Sequence, residues 1–128
     1  MDDKQQKIYT ALLVELRRLG TGLFDVYDGA LPPEGTAYPF VYLGENQELD
    51  GLLKGAISAR VEQTIHVYTN NLRARGTFSA VMARCKQACY NITKEDSSVM
   101  LSGISAQVLP DTTTAVPLLH GVIDASFR

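Results

Sequence analysis

The sequence alternates most regularly over Ile57–Tyr68, which reads ISARVEQTIHVY. Apolar residues occupy every second position of this stretch, and polar, charged or aromatic residues stand between them. Only Gln63 interrupts the apolar row. A period of two residues predicts a β-strand with one buried face and one face that is either wet or part of an interface.

Shorter apolar runs on either side of this strand predict further strands. They lie at Leu23–Asp28, Tyr38–Leu43, Val99–Val108 and Leu118–Phe127. Pro39 cannot donate to a sheet ladder, which predicts that it lies at the first residue of its strand or on an edge. Gly103 is a possible bulge site within its strand.

Two segments carry the three- and four-residue spacing of an amphipathic helix. The first runs from about Asp3 to Leu19, with Asp2 or Asp3 as the cap and Gly20 as the stop. The second follows the capping stretch Thr69–Asn71. Its apolar stripe consists of Phe78, Val81, Met82, Cys85, Cys89 and Ile92.

Two polar stretches are predicted to be irregular. Gly44–Gly55 holds three glycines and predicts a long hairpin loop or arm, although its tip carries leucines. Pro110–Thr114 predicts a turn.

The length of 128 residues fits one domain spanning residues 1–128. The predicted order is helix, three strands, helix and two strands. The economical assembly is an α+β fold with two helices packed on one face of a mainly antiparallel four- to five-stranded sheet.

The bulk composition argues against several classes of protein. The net charge of −2 argues against a nucleic-acid-binding module, because such modules carry a basic excess. No apolar run reaches membrane-spanning length, and the first residues lack the pattern of a signal peptide. We therefore expect no membrane partner and no sequence-specific nucleic acid, and folding in the cytoplasm.

Reactive residue types are few, and each has a plain structural reading. His66 and His120 are the only histidines, and neither belongs to a metal or nucleophile motif. Cys85 and Cys89 lie on the apolar helix stripe, which favours core packing over zinc binding because a second ligand pair is missing. We predict no catalytic, cofactor or metal site.

Two further groups of charged residues have weak functional readings. Asp111 and Asp124 would serve acid–base chemistry only as a pair beside a pocket, and a turn residue and a wet-face residue are the plainer readings. The basic set Arg73, Arg75, Arg84 and Lys86 is best explained as a solvated helix face rather than a phosphate contact.

The second face of the long strand carries Arg60, Glu62, His66 and Tyr68. A solvated face gives this mixture, and so does the polar rim of a protein interface, where arginine and tyrosine are enriched. The pattern alone leaves both readings open.

Three stretches in order carry a family resemblance. Pro39–Glu45 ends a strand and opens a polar segment, Val67–Thr69 joins the long strand to an arginine-rich helix, and Leu119–Arg128 closes the chain. Over nearly its whole length, the sequence resembles the tail-completion proteins of long-tailed bacteriophages and prophages, also called tail-terminator or head-to-tail joining proteins. The resemblance rests on element order and hydrophobic pattern.

The resemblance implies a non-enzymatic structural protein that forms a homo-hexameric ring. Its partners would be copies of itself, the tail tube protein and the head–tail connector protein, and its place would be the tail–head junction of the virion. It favours Arg60, Glu62, His66 and Tyr68 as subunit interface.

The sequence departs from that family in its arm, Gln47–Ala56, which is a candidate for partner binding. The candidate residues are Gln47, Leu49, Leu52, Leu53 and Lys54. The alternatives are a head-side neck or connector adaptor of the same particle and, from another class, a small ligand-binding domain or enzyme.

Overall fold

The computed structural model describes residues 4–29, 31–53, 56–112 and 117–128. Within these ranges the helices and strands follow one another in the predicted order. They are α1 Lys4–Gly20, β1 Asp25–Tyr27, β2 Phe40–Leu53, β3 Ala56–Thr69, α2 Arg75–Glu95, β4 Leu101–Asp111 and β5 Leu118–Phe127. The predicted capping residues Asp2 and Asp3 lie outside the described residues.

The five strands form one sheet in the order β1-β2-β3-β5-β4. The short β1 pairs with β2 in parallel, and every other neighbouring pair is antiparallel. The helices contact each other and pack against the sheet, so the predicted α+β fold is confirmed. This order leaves β4 at one edge of the sheet and makes the short β1, with the uncovered part of β2, the other.

The core lies between the helices and one sheet face. α1 buries Ile8, Leu12 and Leu16, each at most 1% exposed. The predicted stripe of α2 is also buried, as are inward residues of the three central strands: Val41, Leu43, Val61, Ile65, Val67, Ile123, Ala125 and Phe127. The apolar residues that the helical and two-residue periodicities identify therefore form one core.

Gln63 interrupts the apolar row of β3 because it compensates for an irregularity in β2. The register between β2 and β3 shifts between Leu43 and Asn46. Such a bulge leaves backbone groups without a partner in the ladder. The Gln63 amide donates to the carbonyl oxygens of Gly44 at 3.4 Å and Glu45 at 3.3 Å, and its oxygen accepts from Asn46 Nδ2 at 2.5 Å.

The predicted loop over Gly44–Gly55 is wrong for most of its length. β2 continues to Leu53 and pairs with β3 from Asn46 onward. The regular alternation of β3 offers a ladder to this polar segment, and cross-strand pairing outweighs the low strand propensity of its glycines and acids. Lys54 and Gly55, between the two strands, lie outside the described residues.

Two local predictions are corrected. α2 begins at Arg75 behind Ala74, without a side-chain cap, because Asn71 instead accepts a hydrogen bond from the Arg73 N–H at 3.1 Å in the preceding turn. Pro110 and Asp111 belong to β4 rather than to a turn. Proline is tolerated there because β4 is an edge strand. The predicted bulge near Gly103 is confirmed by a register shift between Leu101 and Gly103.

Candidate interaction surfaces

The sheet face opposite the helices has two halves of different chemistry. One half carries a set of stacked rings, here called the ring ladder. Its members are Phe40, Tyr42, His66, Tyr68 and His120. The other half, here called the acidic half, carries Glu45, Glu62 and Asp124 around a shallow groove.

Cross-strand neighbours form the ring ladder. Tyr42 lies opposite His66 in the β2–β3 register, with ring centroids 4.6 Å apart and planes 14° from parallel. Tyr68 lies opposite His120, with centroids 4.2 Å apart at 10°. Phe40 stacks on Tyr68 at 5.4 Å. Each aromatic pair of this kind contributes about 0.5–1.5 kcal/mol beyond the area it buries, so the ladder stiffens this half of the face.

A hydrogen-bonded chain joins the two histidines to a carboxylate. His66 Nε2 lies 2.9 Å from Glu45 Oε2, and His66 Nδ1 lies 2.8 Å from His120 Nε2. The carboxylate can only accept, so His66 Nε2 carries a proton and a neutral His66 accepts from the His120 Nε2–H. If both histidines carried an extra proton, the N–H of His66 Nδ1 would face the N–H of His120 Nε2, and the hydrogen bond between them would be lost. The pair therefore holds at most one extra proton while this bond lasts.

The environment keeps most of these groups in one protonation state at neutral pH. Burial lowers the pKa of His120, and the facing His66 lowers it further. Burial also raises the pKa values of Tyr42 and Tyr68, so both remain protonated. The hydrogen bond from His66 lowers the pKa of Glu45. These directions suit a stable recognition surface more than a proton donor poised near neutrality.

The four predicted interface residues share the open face but fall into both halves. His66, whose side chain is 11% exposed, and Tyr68 belong to the ring ladder. Arg60 and Glu62 lie at the acidic half, 43% and 40% exposed, with Arg60 Nε 3.4 Å from Glu62 Oε1. That nitrogen is buried and has no hydrogen-bond partner among the described residues, so the contact is an ion pair without a hydrogen bond.

The acidic half also has its own internal contact. Thr64 Oγ1 donates to Asp124 Oδ1 at 2.6 Å, which joins β3 to β5 across the groove. Glu45 on β2 and Glu62 on β3 line the same groove. A surface with this excess of carboxylates is complementary to a basic patch on a partner.

The predicted arm residues lie on the part of β2 beyond the bulge. Gln47 pairs with Glu62, and Leu49 pairs with Arg60, so both belong to the open face. Leu52 and Leu53 end the strand, and their side chains lie outside the described residues, as does Lys54. The arm is therefore a paired β-ribbon, and its part in partner binding stays a prediction.

The cysteines are buried and free, as predicted. Burial raises the pKa of Cys85 and raises that of Cys89 to about 12. Neither thiol is therefore a nucleophile near neutral pH. Among the described residues, no group of three histidine, cysteine or acidic side chains is arranged to hold a metal ion.

Asp111 and Asp124 do not form a pair. Asp111 lies opposite Leu118, and Asp124 lies opposite Ser105, at distant points of the β4–β5 ladder. Six residues along a strand separate these points by roughly 20 Å. The two carboxylates are therefore too far apart to act as a pair in acid–base catalysis.

The predicted basic set does not form a phosphate site. Arg84 Nη1 donates to the carbonyl oxygen of Leu19 at 2.8 Å and so satisfies the end of α1. Arg73 precedes α2, while Arg75 starts it and Lys86 lies three turns later.

Within the described ranges, neither helix is long and apolar enough to cross a lipid bilayer.

The edge strand β4 is a surface that the sequence reading missed. Between Ser105 and Pro110 every residue is exposed, including Val108 at 47% and Leu109 at 40%. Neighbouring Met100 is 65% exposed. The absence of charge from Leu101 to Leu109 was a signal in the sequence, since natural edge strands usually carry charges. A sequence signal for the ring ladder was also present, because aromatic residues alternate at Tyr38, Phe40 and Tyr42.

Comparisons with known proteins bear on the fold. No protein-family model matches the sequence, and no curated protein matches it. A chain in the solved virion of a native gene transfer agent particle shares the fold. The two are 21% identical, with a TM-score of 0.58 over 97% of this chain and 93% of the other. The fimbrial biogenesis protein PilO of Pseudomonas aeruginosa, 12% identical over 98% of this chain and 72% of its own, has a TM-score of only 0.40, too low to argue from.

Proposed function

We propose that the protein is a structural component of a phage-like virion. The observation that carries this proposal is the match in fold, nearly end to end in both chains, with a chain of a gene transfer agent virion. The match covers 97% of this chain and 93% of the other, so the likeness concerns nearly all of both chains. The protein then acts by geometry rather than by catalysis.

Within such a particle, we infer a tail-completion role. The chain forms a ring of identical subunits that caps the tail tube and joins the tail to the head. Its partners are the tail tube protein on one side and the head–tail connector protein on the other. The element order described above supports this role, and the open face supports assembly because rigid stacked rings and a carboxylate groove meet on one surface.

In this proposal the open face forms part of the subunit or partner contact. A stiff ring ladder loses little conformational entropy when it is covered, which favours association. The acidic half supplies charge complementarity to a basic neighbour. The side chains of Arg60 and Glu62 are each more than a third exposed, so such a neighbour would contact their charged groups.

The second candidate is a head-side neck adaptor of the same particle. The fold match favours both roles equally, because a likeness to a virion chain does not assign a position within the particle. The two roles predict different defects when the protein is missing, so an experiment separates them.

The test is electron microscopy of particles produced from a genome that lacks this gene, with restoration by a plasmid copy as the control. A tail-completion role predicts overlong or uncapped tails beside separate heads. Leaky heads without tails would instead favour the adaptor. Complete, infectious particles without the protein would refute both roles. Light scattering over a concentration series measures the subunit number of the purified protein.

An enzyme or ligand-binding domain predicts a different result. Such a protein would be stabilised by its ligand in a thermal-shift screen against metals and metabolites. A strong shift, together with normal particles in the deletion, would replace the structural proposal.

A further inference from the structure

The outer edge of β4 is unusually open to strand pairing. The strand is 11 residues long, and its neighbour β5 occupies only one side. Natural edges are usually protected by charges, prolines, β-bulges or short length. β4 has a bulge between Leu101 and Gly103 and a proline at Pro110, but the residues between them carry no charge. Val108 and Leu109 there leave apolar surface exposed on both sides of the sheet.

Pro110 indicates which residues of β4 have backbone groups that point away from β5. Residues of an antiparallel strand alternate between those bonded to the neighbouring strand and those whose N–H and C=O point away. Proline fits an edge strand where its missing N–H would point away. Val108, Ala106 and Ile104 lie two, four and six residues earlier, so their backbone groups point outward as well. Between Ile104 and Val108, β4 thus presents a row of donors and acceptors that no described strand pairs with.

The opposite edge of the sheet offers a second free row of the same length. β1 pairs with β2 only from Phe40 to Tyr42. Three of the 14 residues of β2 are therefore covered, and no strand among the described residues pairs with the other eleven, Leu43–Leu53, on that side. This free stretch is the ribbon that carries the predicted arm.

The two free edges run in opposite directions. β2 is antiparallel to β3, β3 to β5 and β5 to β4, so β4 is antiparallel to β2. A second copy placed beside the first in the same orientation therefore sets its β2 antiparallel to the first copy's β4. The contact is head-to-tail, which is the type of interface that closes into a ring.

From these observations we propose that β4 of one copy pairs, as an added antiparallel strand, with the free stretch of β2 in the next copy. This inference rests on the proposed ring and names its interface. Full overlap of the two eleven-residue stretches sets Gln107 opposite Gln47 and Ser105 opposite Leu49. All four residues belong to the open face of their own copy, so the open faces become continuous in this register.

Disulfide trapping between two different single variants tests the pairing. Gln107→Cys and Gln47→Cys are purified separately, mixed and oxidised. Gln107 alternates with the outward residues, so it falls in a non-hydrogen-bonded pair of the new ladder, where Cβ atoms are close enough for a disulfide. Cys85 and Cys89 are buried and do not compete. Gln87→Cys, on the exposed side of α2, replaces Gln107→Cys as the matched control.

Each outcome has a definite meaning. A disulfide dimer in the mixture, and in neither variant alone nor with the Gln87→Cys control, is expected. A dimer of Gln107→Cys alone would mean two-fold pairing of β4 with β4 and would overturn the proposal. No dimer in the mixture while the wild type forms a ring would overturn edge pairing and leave the proposed function standing. Normal particles from the gene deletion would remove the proposed function itself.

A backbone variant gives an independent measurement. Ala106→Pro removes one outward N–H without touching a bond to β5, and Ala106→Val keeps the N–H at the same position. Sedimentation should show self-association weakened roughly tenfold for the proline variant, the effect of one lost hydrogen bond whose acceptor stays unpaired, and little change for valine. Equal association of both variants, with unfolding temperatures like the wild type, would contradict the pairing.

Discussion

Replacing Gln63 by leucine tests how the fold supports the bulge in β2. Gln63 is 1% exposed, and its Nε2 donates to the Thr64 carbonyl at 2.8 Å as well as to the bulge carbonyls. Leucine has a similar volume, so the substitution removes the hydrogen bonds without leaving a large cavity. It therefore isolates the polar contribution of this buried amide.

The expected cost follows from the number of donors that are lost. An amide NH₂ has two hydrogens, and a buried acceptor left without a partner costs about 1–3 kcal/mol. The side-chain oxygen also leaves Asn46 Nδ2 without its acceptor. Burial of the more apolar leucine returns about 1–2 kcal/mol. We expect a net loss of about 2 kcal/mol in the free energy of unfolding.

Urea unfolding followed by circular dichroism measures this loss. For a domain of this size, the melting temperature should fall by roughly 8 °C. Gln87→Leu is the matched control, because Gln87 is exposed on α2 and lies outside the proposed contact between copies, and it should change stability by less than about 0.5 kcal/mol. If Gln63→Leu is no more destabilising than this control, the role assigned to Gln63 is wrong.

Two other perturbations have definite expected outcomes. Gly121→Ala should cost about 1–3 kcal/mol by overpacking, because the added Cβ would stand 3.0 Å from both Met82 Cε and Phe78 Cζ, whereas Gly103→Ala meets nothing within 4 Å and serves as its control in thermal melts. The folded-state pKa of His120 lies below its ordinary value of 6.5, so the unfolded chain binds protons first as the pH falls. Stability should therefore decrease below about pH 6.5, and urea titrations at pH 7.5 and 5.5 should show a smaller decrease for His120→Gln; an equal decrease would contradict this assignment.

The sequence predicted the elements whose pattern is local. The stripe of α2 and the alternation of β3 are readable from neighbouring residues alone, and β5 matches its predicted bounds Leu118–Phe127. The core packing predicted for Cys85 also followed from its position on the stripe, and the residue is buried. Each of these features depends on side chains a few residues apart, whose relative positions the backbone period dictates.

The strand order and everything built on it required the tertiary structure. The polar segment after Gly44 is a strand because it pairs with β3. The strand β5, which lies beside β3, places His120 next to His66, 54 residues away in sequence. Which strand became the uncharged edge was likewise invisible to any local pattern. A strand's neighbours are chosen by the packing of the whole sheet, and alternation in one strand says only which side faces the core. Periodicity therefore determined the two faces of the sheet, while non-local pairing decided which residues meet on the open face and at the free edges.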